Sequence, residues 1–182
     1  MITLVLLIVL AWSFYIGYTR GLILQGFYTA SSVIALIVAT AKYPKLAALY
    51  YLWVPFANAT EGSSTYYFDS QYLFNLDQIF YAGLAFLTIY VVVYAIMRFI
   101  GIFVHLVRFA TPQGLYFDLA SGVLAVIVTW ISLQIGLTIL ATIPLDMVQN
   151  YLHDSWLANA MIEWTPFTSS FLKNLWISNI SG

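Results

Sequence analysis

The stretch GYTRGLILQG, residues 17–26, sets one arginine between two uncharged runs, residues 2–19 and 22–41. Each run is long enough to cross a bilayer, which takes about 20 mostly apolar residues at a rise of about 1.5 Å apiece. Arg20 and Gly21 are then the whole connection between two spans, and the sequence predicts a tight antiparallel helical hairpin. So short a connection belongs at a water interface, because lipid offers no partners to the free backbone groups of a turn. Glycine supplies the backbone latitude, and arginine anchors the turn among the headgroups.

Composition extends this to the whole chain. Of 182 residues, 63% are apolar, 18% aromatic and 7% charged, whereas a soluble domain carries about a quarter charged residues. Six basic and seven acidic side chains are too few to cover a water-facing surface, so lipid is the solvent. A net charge of −1 provides no basic field for nucleic acid. The absence of cysteine excludes disulfides, thiolate metal sites and cysteine nucleophiles. The first apolar run has neither a preceding basic region nor a small-residue cleavage site, and reads as a retained span rather than a secretory leader.

Two further spans are expected at residues 78–98 and 116–143, the last stopped by Pro144. The expected fold is therefore an all-α polytopic integral membrane protein, one domain with four transmembrane helices. The 2–3 loop, residues 42–77, contains YPKLAALYYLWVP, which predicts a short interfacial helix. Leu46, Leu49, Tyr50 and Trp53 fall at helical spacing, with Pro44 in the first turn. A turn at EGSS, residues 61–64, follows, and Asp77 is expected to cap the third span. Residues 99–112 are expected to leave the hydrocarbon and lie along the interface. In the tail, residues 144–182, Thr165 and Pro166 predict a helix in which Phe167, Phe171, Leu172, Leu175 and Trp176 share a face.

An even number of spans puts both termini on one side. With the termini outside, the inner loops hold Arg20, Arg98 and Arg108, and the outer segments hold Lys42, Lys45 and Lys173, a tied positive-inside count. The long segments hold six of the seven acids, and no basic side chain precedes the first span. These facts favour extracytoplasmic termini.

Ion-coupled carriers and membrane enzymes need ionisable groups at membrane depth, and no span carries an Asp or Glu at its middle. Arg98, His105 and Arg108 can line one helix side as a headgroup-facing strip attracted to anionic lipid. A metal at His105 is disfavoured by these neighbouring cations. His153, Asp154 and Ser155 are adjacent in sequence, so their side chains diverge in a helix and do not form a hydrolytic triad. Small residues recur every fourth position, as in Ser31, Ala35 and Ala39 or Ser121, Ala125 and Thr129. Such stripes let helices approach closely in lipid. Gln25 and Gln134 are mid-helix amides suited to interhelical bonds or to a polar path. Tyr43, Tyr50, Trp53, Trp156 and Trp164 suit a boundary belt. No residue set calls for a catalytic role, a metal or another cofactor.

Three short motifs carry a family resemblance across nearly the whole chain. A span ends in Arg20–Gly21, an Asp-x-x-x-Gly step at Asp118 and Gly122 opens the fourth span, and Ser155-Trp156-Leu157 precedes Thr165-Pro166. The chain resembles the colicin V production protein (CvpA) family of small bacterial inner-membrane proteins. It departs from the pattern where Leu24, Gln25 and Leu119 replace charged residues, and where Val126, Thr129 and Trp130 replace glycines and an arginine. The resemblance implies a non-enzymatic role in toxin or bacteriocin production and envelope homeostasis. It also implies extracytoplasmic termini, and contact with lipid, with further copies or with an envelope protein. An oligomeric channel or small transporter, with spans two and four packed through their small faces, is the alternative.

Overall fold

The computed structural model describes residues 1–56, 65–106 and 114–178. Seven α-helices are found among them: α1 (Ile2–Arg20), α2 (Leu22–Trp53), α3 (Leu76–Leu106), α4 (Leu115–Leu140), α5 (Asp146–His153), α6 (Trp156–Glu163) and α7 (Thr168–Ser178). A 3₁₀ turn, Ser70–Asn75, leads into α3. α1 to α4 are long and apolar enough to cross a membrane, and the described residues contain no strand. The protein is an all-α, multi-pass membrane protein.

The helix ends follow local chemistry. α1 is an unbroken apolar run that stops at Gly21, whose φ of 91° and ψ of 152° no helix can contain. Arg20 in its last turn complements the negative end of the helix dipole. Asp118 does the converse in the first turn of α4.

Partnering differs from the expected hairpin. α1 packs mainly on α4, α2 packs mainly on α3, and α1 and α2 touch little beyond their junction. Gly17 explains the first pairing. A Cβ there would lie 2.8 Å from the Ser121 carbonyl oxygen and 3.1 Å from Gly122 Cα, so α1 and α4 cross almost backbone to backbone. Ser121 Oγ donates to the Gly17 carbonyl at this crossing. Covalent continuity set the expectation, whereas steric fit at Gly17 selects the partner.

Two helices outrun their expected spans. α2 continues through Pro44 to Trp53 as one helix, where a separate interfacial helix was expected. A proline lacks only one backbone donor, and a long helix held on both sides of it tolerates that loss with a bend. Tyr43, buried just before the proline, donates to the Leu175 carbonyl at 2.9 Å, and Tyr50 beyond it bonds Thr88 Oγ1 at 3.0 Å. Likewise α3 runs on past Arg98 without leaving its helical path as far as Leu106. At roughly 46–48 Å by the 1.5 Å rise, α2 and α3 exceed the hydrocarbon thickness of about 30 Å. Asp77 does not cap α3 but sits in its first turn, and its Oδ1 is buried without a hydrogen-bond partner. The EGSS turn and residues 107–112 lie outside the described residues.

The core lies between α2, α3, α4 and the tail. Ala35, Ala39, Ile79, Ala82, Ala85, Phe86 and Ile135 are buried in one cluster with Leu172 and Trp176 of α7. α1 is peripheral, with only Leu6 and Gly17 buried. The predicted tail face divides: Leu172 and Trp176 are buried, but Phe171 is 47% and Phe167 92% exposed. Phe167 precedes the helix at a φ of 64° and so does not share its register. The Trp176 indole meets Phe86 edge-on at 6.0 Å beside Gly83, where a Cβ would approach the indole to 3.1 Å.

The tail, the N-terminus and residues 65–75 gather at one end of the bundle. Thr3 Oγ1 and Ser155 Oγ are 2.8 Å apart, and Gln149 accepts from the Tyr66 amide at 3.1 Å. The Gln149 amide in turn donates to the carbonyls of Ala141 at 3.0 Å and Ile143 at 2.8 Å, which closes the end of α4. This is the tail end; Arg20, Gly21 and Arg98 mark the opposite, turn end.

Candidate functional site

At the turn end, α1, α2 and α3 converge on Tyr28. Its ring is buried, with Arg20 Cζ 4.6 Å and Arg98 Cζ 5.4 Å from the centroid. Gly101 makes room for this ring, since a Cβ there would lie 2.7 Å from the Tyr28 hydroxyl. Arg20 Nη1 donates to Gln25 Oε1 at 2.9 Å, and Gln25 is 2% exposed. A cavity of 240 Å³ opens beside these groups, lined by Arg20, Gln25, Tyr94 and Arg98 together with residues of α1 and α4. Two guanidiniums from different helices at one aromatic ring form a cation–π cluster with most of its hydrogen-bond donors unpaired among the described residues.

Of the predicted residues, the structure brings Arg20, Gly21, Gln25 and Arg98 together here. The side chain of His105 and the whole of Arg108 lie outside the described residues, so the headgroup strip expected of them with Arg98 does too. Gly122 lies nearby at the α1–α4 crossing, where a Cβ would meet the Phe14 ring at 2.6 Å. Asp118 stands one turn before it, half-buried.

The remaining predicted residues are elsewhere. Gln134 is fully buried toward the tail end and joins α4 to α7: its Nε2 donates to Ser169 Oγ at 3.0 Å, and its Oε1 accepts from Thr168 at 2.7 Å. Ser155 caps α6, accepting from the Ala158 amide at 3.3 Å. Pro166 is exposed beside Thr165, whose hydroxyl accepts from the Trp130 indole at 3.0 Å. Two positions that depart from the family pattern, Gln25 and Trp130, are thus hydrogen-bonded to motif residues, Arg20 and Thr165.

Tyr28, Tyr94 and Tyr90 were missed. Tyr90 is buried and its hydroxyl lies 2.9 Å from both Ser32 and Ser132, which ties α2, α3 and α4 at one point. The small faces also prove internal: Ser31, Ala35, Ala39, Ser121 and Ala125 are all buried within one chain. Their spacing signalled close approach but carried no information on which helix approaches.

A second cavity, of 440 Å³, lies at the tail end among Tyr66, Tyr67, Trp156, Asn159, Glu163 and Trp164. Tyr66 stacks on His153 at 4.2 Å, so His153 faces an aromatic ring while Ser155 faces Thr3. Tyr67 donates to Asn159 Oδ1, and Lys173 Nζ donates to the Tyr67 carbonyl at 3.2 Å. Burial pushes the Tyr67 phenol up to about 12, with the Glu163 charge adding to it. Burial also lowers the Lys173 ammonium from its ordinary value, against the pull of Glu163 and Asp69.

The family model described as Colicin V production protein matches residues 2–166. The chain is also similar to a Bacillus subtilis (strain 168) protein named "Uncharacterized transmembrane protein YshB", 27% identical over 176 residues and covering 97% of each chain. No solved structure matches it. A match over nearly the whole length, four membrane-length helices and the Arg20–Gly21 and Asp118–Gly122 steps at helix junctions and crossings agree, and the chain belongs to the colicin V production protein family.

Proposed function

We propose that the protein supports production or release of a peptide toxin, and the integrity of the envelope, by a non-catalytic role in the bacterial inner membrane. Both termini then face outward, and the partners are lipid and either further copies or an envelope protein. One observation carries the non-catalytic part: two sets of buried polar side chains pair with one another across helices. Ser32, Tyr90 and Ser132 form one such set, and Gln134, Thr168 and Ser169 another. Groups held this way fix helix positions. The outward tail end would present Trp156, Trp164 and Phe167, all strongly exposed, to headgroups or to a partner. The channel alternative requires small faces on the outside of the bundle, whereas Ala35, Ala39 and Ala125 are buried inside it.

The test is complementation of a deletion strain, scored by toxin release and by survival in an anionic detergent. Asp118→Asn, His153→Gln and Glu163→Gln are expected to restore both, and Gly17→Leu to restore neither. Loss of function in His153→Gln or Glu163→Gln with normal membrane levels would establish a catalytic role instead. Restoration of neither phenotype by the wild-type gene would remove the toxin and envelope assignment.

A further inference from the structure

We propose that Arg20 and Arg98 together hold the phosphate of an anionic phospholipid whose acyl chain lies in the groove between α1 and α4. The inference is independent of the cellular role above. The two cations come from different helices and converge on Tyr28, 4.6 and 5.4 Å from its centroid. Among the described residues the ionisable groups acting on Arg20 are Arg98, Tyr28 and Tyr94, so like charge sits beside like charge with no carboxylate among them. Gln25 aligns the Arg20 fork by accepting one bond at 2.9 Å, but being neutral it leaves the charge uncompensated. Paired guanidiniums with free donors match the several acceptor oxygens of a phosphate, and a bound anion offsets their mutual repulsion.

The rest of the cavity favours a lipid over a soluble anion. Its 240 Å³ are walled on the bundle's flank by Val9, Trp12, Ile16 and Val128, with no Asp or Glu in the lining among the described residues. Val9 and Trp12 are themselves exposed, so the groove opens sideways toward the bilayer. From Arg20 back to Val9 along α1 is roughly 16 Å by the 1.5 Å rise, about the depth of one leaflet's hydrocarbon. Cations at the boundary with an apolar trough running inward fit an amphiphile whose charged head stays at the surface.

The experiment uses the full chain in a neutral detergent and counts retained lipid by native mass spectrometry. The probes are phosphatidylglycerol, phosphatidylcholine with the same acyl chains, and inorganic phosphate. The expected result is at least tenfold preference for phosphatidylglycerol over phosphatidylcholine, lost in the Arg20→Gln/Arg98→Gln double variant. Lys42→Gln/Lys45→Gln removes the same charge from α2 away from the cluster and is expected to keep the preference. Gln25→Glu is a milder probe. It places a carboxylate against Arg20 and is expected to reduce the preference several-fold while the helical circular dichroism is unchanged. Equal retention of the two lipids would overturn the proposal. So would equal losses in the arginine and lysine variants, or full displacement of phosphatidylglycerol by millimolar inorganic phosphate. Should the double variant not fold, Arg98→Gln alone decides the matter, because Arg98 is exposed: a preference it leaves intact would equally overturn the site.

Discussion

Gly21 joins α1 to α2 at φ 91° and ψ 152°, a region that only glycine enters without strain. Gly21→Ala is expected to destabilise the protein by about 1–3 kcal/mol, read as a lower unfolding midpoint in detergent. An unchanged midpoint would mean that the junction relaxes into another geometry. Tyr90 tests the interior in the same way. Tyr90→Phe removes the hydroxyl that links Ser32 and Ser132, while Ser132 keeps its 2.8 Å bond to the Val128 carbonyl. A loss of about 1 kcal/mol is expected, typical of one interhelical bond in a membrane protein. A midpoint within a few tenths of wild type would show that the hydroxyl set does not hold the three helices. The two residues differ in how visible they are in the sequence. Arg20–Gly21 interrupts an apolar run, so its position alone signals a junction. A tyrosine inside such a run looks the same whether it faces lipid or the core. Tyr90 acquires its role from residues 58 and 42 positions away, Ser32 and Ser132, and Tyr28 from arginines on two other helices.

At the scale of elements, span existence was legible and span partnership was not. Apolar length is a local property, readable at α1 to α4, but partnership depends on which small faces meet. Gly17 stands four residues before Gly21 on the same turn, yet a Cβ placed on it would meet Ser121, Gly122 and Ala125 of α4. Pro44 misled for a related reason: a local helix-start signal was overridden by tertiary anchors at Tyr43 and Tyr50 on its two sides. The crossing at Gly17 therefore makes a clear prediction. Gly17→Leu forces a side chain into the Ser121 carbonyl and is expected to cost about 1–3 kcal/mol as overpacking. It should also move α1 relative to the tail. In the otherwise cysteine-free chain, a Thr3→Cys/Ser155→Cys pair replaces hydroxyls 2.8 Å apart, so oxidation should crosslink it readily. Adding Gly17→Leu should slow that crosslinking several-fold. An unaltered rate together with an unaltered midpoint would place the α1–α4 contact elsewhere.

The whole molecule is a bundle closed at its tail end by a cap whose internal bonds respond to pH in opposite senses. Tyr67, buried and bonded to Asn159, loses its proton near 10 when unfolded but only at about 12 when folded. Between those values the unfolded state binds fewer protons, so stability contributed by Tyr67 is fully present below about pH 10 and falls as pH rises toward 12. Lys173 runs the other way. Burial lowers its folded value below its ordinary one of 10.5, so the folded state releases the proton first and stability rises with pH up to that value. Together they predict cap stability that rises with pH below about 10 and then declines toward 12 as the Tyr67 loss overtakes the remaining Lys173 gain. Thermal unfolding of the purified protein across that range, followed by tryptophan emission from Trp156 and Trp164 at the cap cavity, measures the profile. Tyr67→Phe should flatten the decline above about pH 10 and leave the rise, whereas Lys173→Met should remove the rise and keep the decline. A decline equally steep in Tyr67→Phe would assign the alkaline loss to the other tyrosines, and the cap would not owe its closure to the buried phenol.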